Sequence, residues 1–109
     1  MNIEFQASQG QVKEWVIDHV REKLMELYHR DKRISRAQVY FREQPDAEGG
    51  SKICEIDLSI YGDSLFVRRK AGSFEQASME VLKELTEKVD EQIRNQGEPP
   101  EEITSTVNV

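Results

Sequence analysis

Residues 54–60, Cys-Glu-Ile-Asp-Leu-Ser-Ile, alternate strictly between apolar and polar side chains. This alternation is typical of a β-strand that buries one face and exposes the other to water. Residues 61–64, Tyr-Gly-Asp-Ser, favour a tight turn, and residues 65–71, Leu-Phe-Val-Arg-Arg-Lys-Ala, suit an antiparallel hairpin partner. The stretch therefore predicts two strands of a sheet whose apolar face must be covered by other elements.

Two more strands are predicted upstream of this hairpin. Apolar and polar residues alternate in residues 3–7 and again in residues 37–42. Residues 45–50, Pro-Asp-Ala-Glu-Gly-Gly, indicate a flexible turn that leads from the second of these strands into the 54–60 strand. The sequence thus predicts a four-stranded sheet.

Two amphipathic helices are predicted to cover this sheet. Capping-box patterns precede both, Ser8 with Gln11 and Ser73 with Gln76, and place the helices at about residues 9–30 and from Ser73 to Gly97. Apolar residues recur at helical spacing in each. In the first helix the residues expected in the core are Val12, Trp15, Val16, Val20, Leu24, Leu27 and Tyr28.

The order of elements is β-α-β-β-β-α. Because the strands have only one apolar side, both helices must pack on the same sheet face, which gives a two-layer α+β sandwich. The first helix makes a right-handed crossover if the strands beside it pair in parallel. We expect residues 1–97 to form one domain and residues 98–109, which are acidic and poor in apolar side chains, to form a disordered tail.

Composition limits the partners of the chain. Its 109 residues carry a net charge of −6, so any contact with nucleic acid must come from a local basic patch rather than from bulk positive charge. The sequence shows no secretion signal and no run of about 20 apolar residues, which favours a cytoplasmic protein without membrane contact. A single cysteine, Cys54, excludes an internal disulfide.

The residue types that carry catalysis are not arranged for it. Cys54 lies in the inward series of its strand and is expected to be a core residue. His19 and His29 have no further ligand at a metal-binding spacing, and Glu55 and Asp57 are expected to be solvated carboxylates on the open sheet face. We therefore predict no enzyme, no metal site, no cofactor and no small-molecule substrate.

The sequence resembles a known family at several short stretches. These are Lys23-Leu24 to Tyr28, residues 37–41 (Ala-Gln-Val-Tyr-Phe) and residues 73–77 (Ser-Phe-Glu-Gln-Ala). Together with the order of elements, they resemble the short form of the ribosome hibernation-promoting factors, also called ribosome-associated translation inhibitors or sigma-54 modulation proteins. The resemblance implies a cytoplasmic protein that sits on the small ribosomal subunit near the decoding region, blocks messenger and transfer RNA, and stores ribosomes during stress.

The resemblance implies that Lys and Arg side chains contact ribosomal RNA. The run Arg68-Arg69-Lys70, on the last strand, is the leading candidate, and its alternative role is to discourage edge-to-edge pairing of sheets. The second cluster, at the end of the first helix and in the connection after it, has the alternative role of a solvated loop whose charges are favoured by the helix dipole. It consists of Arg30, Lys32, Arg33 and Arg36. The full predicted set is Lys23, Arg30, Lys32, Arg33, Arg68, Arg69, Lys70, Lys83 and Lys88.

Both helices carry an acidic stripe, and the stripe of the second helix departs from the family pattern. The stripes are formed by Glu14, Asp18, Glu22 and Glu26 in the first helix and by Glu80, Glu84, Glu87 and Glu91 in the second. One interpretation is a solvated face supported by spaced ion pairs. The other is a relative that has lost RNA affinity and binds a basic protein through its helices. A positive groove would favour RNA, and a uniformly negative helix surface would favour protein.

Overall fold

The computed structural model describes residues 1–7, 12–44, 51–60 and 62–97 of the chain. Within these ranges it contains four strands and two helices. In chain order they are β1 (Asn2–Ala7), α1 (Glu14–Arg30), β2 (Ile34–Glu43), β3 (Lys52–Ile60), β4 (Asp63–Ala71) and α2 (Phe74–Gly97). The predicted order of elements is confirmed.

The strands form one sheet in the order β1-β2-β3-β4. β1 and β2 pair in parallel, with Ile3 opposite Ala37, so the chain must cross over between them, and α1 makes that connection. β2, β3 and β4 pair antiparallel as consecutive strands. β1 and β4 are therefore the two edges of the sheet.

A single hydrophobic core lies between the sheet and the helices. Inward residues of the strands and the apolar stripes of both helices belong to one buried cluster, so both helices cover the same sheet face, as the alternation in β3 predicts. The predicted two-layer α+β sandwich is thus confirmed. Core residues with no accessible surface include Val20, Leu24, Ala37, Val39, Cys54, Ile56, Leu58, Val81, Leu85 and Val89.

Ser73 caps α2 as its capping-box pattern predicts. The backbone N–H of Gln76 donates to Ser73 Oγ at 3.1 Å, and the N–H of Ala77 donates to the Ser73 carbonyl at 3.0 Å. The Gln76 side chain does not return to Ser73 but donates to Glu80, four residues later, at 3.1 Å. Only half of the capping box is therefore formed.

The start of α1 differs from the prediction. The helix begins at Glu14, and Lys13 occupies the N-cap position without a side-chain hydrogen bond. The predicted cap, Ser8 with Gln11, lies outside the described residues. Trp15 was expected in the core but is 54% exposed, because it precedes Val16, the first buried residue of the helix, by one position and so points about 100° away from it.

The β3–β4 hairpin has the tight turn predicted for it. Ile60 pairs with Asp63, and Gly62 between them has φ +88°, a left-handed conformation that glycine adopts without strain. β4 starts at Asp63, two residues before the predicted strand. The predicted turn at 45–50 and the tail at 98–109 lie outside the described residues. No helix of the described part is long and apolar enough to cross a membrane.

Candidate nucleic-acid interface

The pleat of β4 separates the three residues of the leading basic run. Arg68 lies opposite Glu55 on the open face of the sheet, whereas Arg69 lies opposite the inward residue Cys54. Arg69 reaches the helix layer, where it forms an ion pair with Glu84 of α2. Lys70 returns to the open face. The run therefore places basic side chains on both sides of the sheet rather than in one patch.

Glu55 occupies the open face between two arginines of neighbouring strands. Its carboxylate is 2.9 Å from Arg42 Nε on β2 and 3.2 Å from Arg68 Nε on β4. These contacts leave the Glu55 side chain only 12% exposed. The expectation that Glu55 is a solvated carboxylate is wrong, because the register of the three strands brings a cation to each side of it.

The helices enclose a groove of about 440 Å³. Three of the predicted basic residues line it, Lys23 and Arg30 from α1 and Lys83 from α2. Glu26 and Glu87 line it as well, so the groove is mixed in charge rather than positive. Its apolar lining consists of Leu27, Met79 and Leu82.

The turn between α1 and β2 is built around Asp31. Asp31 is 7% exposed. Its carboxylate accepts three hydrogen bonds from Arg33, from the backbone N–H at 3.0 Å, from Nε at 2.8 Å and from Nη2 at 2.6 Å. The Arg33 hydrogen bonds hold the pKa of the Asp31 carboxyl below its usual value. Asp31 was not predicted from the sequence, although an acid just after a helix and two residues before an arginine is a readable signal.

Lys32, in the same turn, faces outward. Its Nζ lies 4.4 Å from the ring centroid of Tyr28 and 3.3 Å from Nδ1 of His29. A cation over an aromatic face is a weak contact at an exposed site. Lys32 therefore remains available to a phosphate, whereas Arg33 already has a structural role.

The nine predicted residues fall into two groups by their existing contacts. Six of them form ion pairs within the molecule, and three have none with any residue that the structure describes. The paired residues are Lys23 with Glu26 at 3.6 Å, Arg30 with Asp90, Arg33 with Asp31, Arg68 with Glu55, Arg69 with Glu84, and Lys88 with Glu84 at 4.0 Å. The three without an ion pair are Lys32, Lys70 and Lys83.

The acidic stripes are partly neutralised by these contacts. Of the spaced pairs expected along the helices, Glu84 with Lys88 is present, while Arg30 bridges to Asp90 on the other helix. Asp18 pairs with Arg21 at 3.1 Å. Among described residues of the stripes, Glu14, Glu22, Glu87 and Glu91 are exposed and have no ion pair. The helix layer therefore keeps an acidic surface beside its mixed groove.

Cys54 is a core residue, as predicted. It is fully buried in the centre of the sheet, and burial raises the pKa of its thiol to about 12. A thiol of this kind stays protonated at neutral pH and does not act as a nucleophile. In the described ranges, no three or more His, Cys, Asp or Glu side chains come together in a way that could hold a metal ion.

No family model and no curated protein sequence matches this chain. Solved structures do match in fold. The Thermus thermophilus Protein Y N-terminal domain aligns with a TM-score of 0.67 and 20% identity over 82% of this chain and 96% of that one. A ribosomal subunit interface protein from Coxiella burnetii aligns with a TM-score of 0.72 and 12% identity over 86% and 99%.

The α+β fold of this chain is that of these two solved structures. The resemblance seen in the sequence is thereby confirmed at the level of the fold. At identities of 20% and 12% the match concerns architecture and does not by itself establish function.

Proposed function

We propose that this protein is a cytoplasmic, ribosome-associated factor that binds the small ribosomal subunit near the decoding region and inhibits translation. The observation that carries the proposal is the shared fold, which extends over more than four-fifths of the chain to a protein described as a ribosomal subunit interface protein. The predicted basic residues supply phosphate contacts on both sides of this fold.

Lys32, Lys70 and Lys83 are the first residues to assign to RNA, because none of them forms an ion pair with a carboxylate that the structure describes. Lys23 and Arg30 contribute from the groove wall. Their intramolecular ion pairs are exposed, and exposed pairs are worth only about 0–1 kcal/mol, so a phosphate can replace a carboxylate at small cost. The acidic helices thus weaken RNA binding without preventing it.

Sedimentation with purified small ribosomal subunits across a salt series tests this proposal. We expect binding that weakens as salt rises, and a Lys32→Gln, Lys70→Gln, Lys83→Gln variant that binds more weakly with a shallower salt dependence. The matched control, Glu14→Gln, Glu22→Gln, Glu91→Gln, removes three exposed carboxylates and should bind more tightly. Absence of binding by the natural protein at low salt would refute the proposal. A translation assay in a purified system tests the proposed inhibition of translation.

A second candidate function is binding of a basic protein through the helices. The observation that favours it is their charge, because α1 has four acidic and three basic side chains and α2 has six acidic and three basic ones. Under this function the glutamine control above would lose affinity instead of gaining it. Comparing its binding to small-subunit proteins freed of RNA with its binding to protein-free ribosomal RNA distinguishes the two functions.

A further inference from the structure

The open face of the sheet, opposite the helices, has its basic side chains concentrated toward one end. The strand register places Tyr40, Glu55 and Arg68 in one row across β2, β3 and β4. Arg42 and Lys70 lie in the next row, on either side of β3. We refer to Tyr40, Arg42, Glu55, Arg68 and Lys70 as the outer-face cluster. It contains three basic side chains and one acidic one.

Glu55 orients the two arginines of this cluster. Arg42 and Arg68 both contact its carboxylate through Nε, one at each oxygen. Neither arginine forms an ion pair with a second described carboxylate, so two guanidinium groups share the single charge of Glu55. An arginine held by one edge loses little further conformational freedom when its other nitrogens bind an anion. The pair is therefore prepared for phosphate oxygens rather than neutralised.

Two aromatic rings accompany these cations. The Arg42 guanidinium lies 5.3 Å from the ring centroid of Tyr40. Phe66, which precedes Arg68 by two residues on the same face, is 55% exposed. Strand spacing and rise place Tyr40 and Phe66 roughly 12 Å apart. Aromatic rings beside cations on an open sheet provide stacking surfaces for bases and contacts for the backbone that joins them.

The charge of the cluster contrasts with that of the helix layer. With Asp57, which lies opposite Phe66 on the same face, this end of the sheet keeps an excess of one positive charge, whereas the two helices together carry six basic and ten acidic side chains. A polyanion is therefore attracted to this end of the open face more than to the helices. Lys70 has no ion pair with any described residue, so its charge is fully available there.

We propose that the outer-face cluster, together with Phe66, binds single-stranded RNA, with phosphates on Arg42, Arg68 and Lys70 and bases stacked on Phe66 and Tyr40. A single strand fits better than a duplex, because only unpaired bases expose their faces to aromatic rings. This inference goes beyond the proposed function. It assigns an RNA site to the sheet face opposite the helices and does not require the ribosome.

Fluorescence anisotropy with a labelled 12-nucleotide uridine oligomer tests the site. Phe66→Ala with Lys70→Gln removes an exposed ring and a cation without breaking an intramolecular ion pair, so folding is preserved. We expect its affinity to fall about tenfold to a hundredfold, since stacking contributes strongly for each base. Three phosphate contacts to a single strand predict a slope of about −2 for log affinity against log salt.

Two further variants sharpen the experiment. Trp15→Ala with Arg94→Gln is the matched control, because it removes one exposed ring and one exposed cation from the helices and should leave affinity unchanged. The triple variant Arg42→Gln, Glu55→Gln, Arg68→Gln removes both guanidinium groups without leaving the Glu55 charge unpaired. It should reduce the salt slope to about −0.7, the value for one remaining contact.

Several results would overturn the site. One is equal affinity of the natural protein and the Phe66→Ala, Lys70→Gln variant for the oligomer. Another is an equal loss of affinity in the Trp15→Ala, Arg94→Gln control. The third is equal affinity of the natural protein for the oligomer and for a 12-base-pair RNA duplex. Oligoglutamate competing as well as RNA at equal charge would show a general anion surface instead. Lys70 belongs to both proposals, but Phe66 belongs to this site alone and the oligomer is free of ribosomes. Failure of the oligomer to bind is therefore distinguishable from failure of the subunits to co-sediment.

Discussion

At the scale of single residues, Asp31 links folding to pH. Its three hydrogen bonds from Arg33 close the turn that leads from α1 into β2. We expect Asp31→Asn to lower the free energy of unfolding by roughly 1–2 kcal/mol, because Arg33 loses its charged acceptor. Urea denaturation at pH 7 measures this.

The same carboxylate should contribute to acid sensitivity. Its pKa is lower in the folded chain than the ordinary value of 3.8, so its stabilising effect is present above pH 3.8 and is lost as pH falls through the folded pKa. The Asn variant should therefore differ from the natural protein at pH 7 and converge with it in strong acid. Glu22→Gln, at an exposed unpaired site, serves as the control and should change neither value.

Cys54 gives a prediction at the opposite end of the pH scale. Burial raises the pKa of its thiol from 9.0 to about 12, so the unfolded chain releases this proton first. The stabilisation is complete below pH 9 and declines as pH rises from 9 toward 12. Urea denaturation at pH 8 and pH 10.5 should show a larger loss for the natural protein than for Cys54→Ala. Equal losses in the two proteins would mean that the thiol does not contribute.

At the scale of elements, the N-terminus of α2 depends on Ser73. Ser73→Ala removes the acceptor of the Gln76 N–H and should cost about 1 kcal/mol of unfolding free energy. Ser73→Asp keeps an acceptor at the N-cap and should retain most of the stability. If alanine and aspartate were equally destabilising, the hydroxyl would not be the source of the cap's contribution.

The spacing of apolar residues predicted the strands and helices, because burying one side of an element requires apolar residues at its structural period. The alternation in β3 and the helical spacing of Val16, Val20 and Leu24 reflect contact with one core, and the structure confirms both. The start of α1 could not be predicted in this way. Lys13 lies at the N-cap without a side-chain hydrogen bond, so no sequence signal marks this position. The capping pattern at Ser8 therefore placed the predicted start of the helix too early.

The partners of the basic residues could be predicted only in part. Period two alone implies that Arg68 and Arg69 lie on opposite faces of β4. The pairing of Glu55 with Arg42 and Arg68 depends on the register of three strands, which the sequence does not determine locally. The bridge between Arg30 and Asp90 joins residues 60 positions apart, beyond any rule of helical spacing.

At the scale of the whole molecule, charge is divided between two sides. The helix layer is acidic, and the open sheet face carries the outer-face cluster. The net charge of −6 gave no indication of this division, because it averages over both sides. A ribosome-bound chain that made its contacts through the helix groove, without Lys70, would still present the outer-face cluster to a second strand of RNA.

The last prediction concerns long-range repulsion of RNA. Residues 98–109 contain three acids and no base, so deleting them changes the net charge from −6 to −3. We expect the deletion to strengthen RNA binding in about 0.01 M salt, where the Debye length is about 30 Å, and to have little effect near 0.15 M, where it is about 8 Å. Glu98→Gln, Glu101→Gln, Glu102→Gln in the full chain should reproduce the gain, since charge is its cause. A gain from the deletion alone would indicate steric obstruction, and no gain from either would show that the acidic tail leaves the basic residues unscreened.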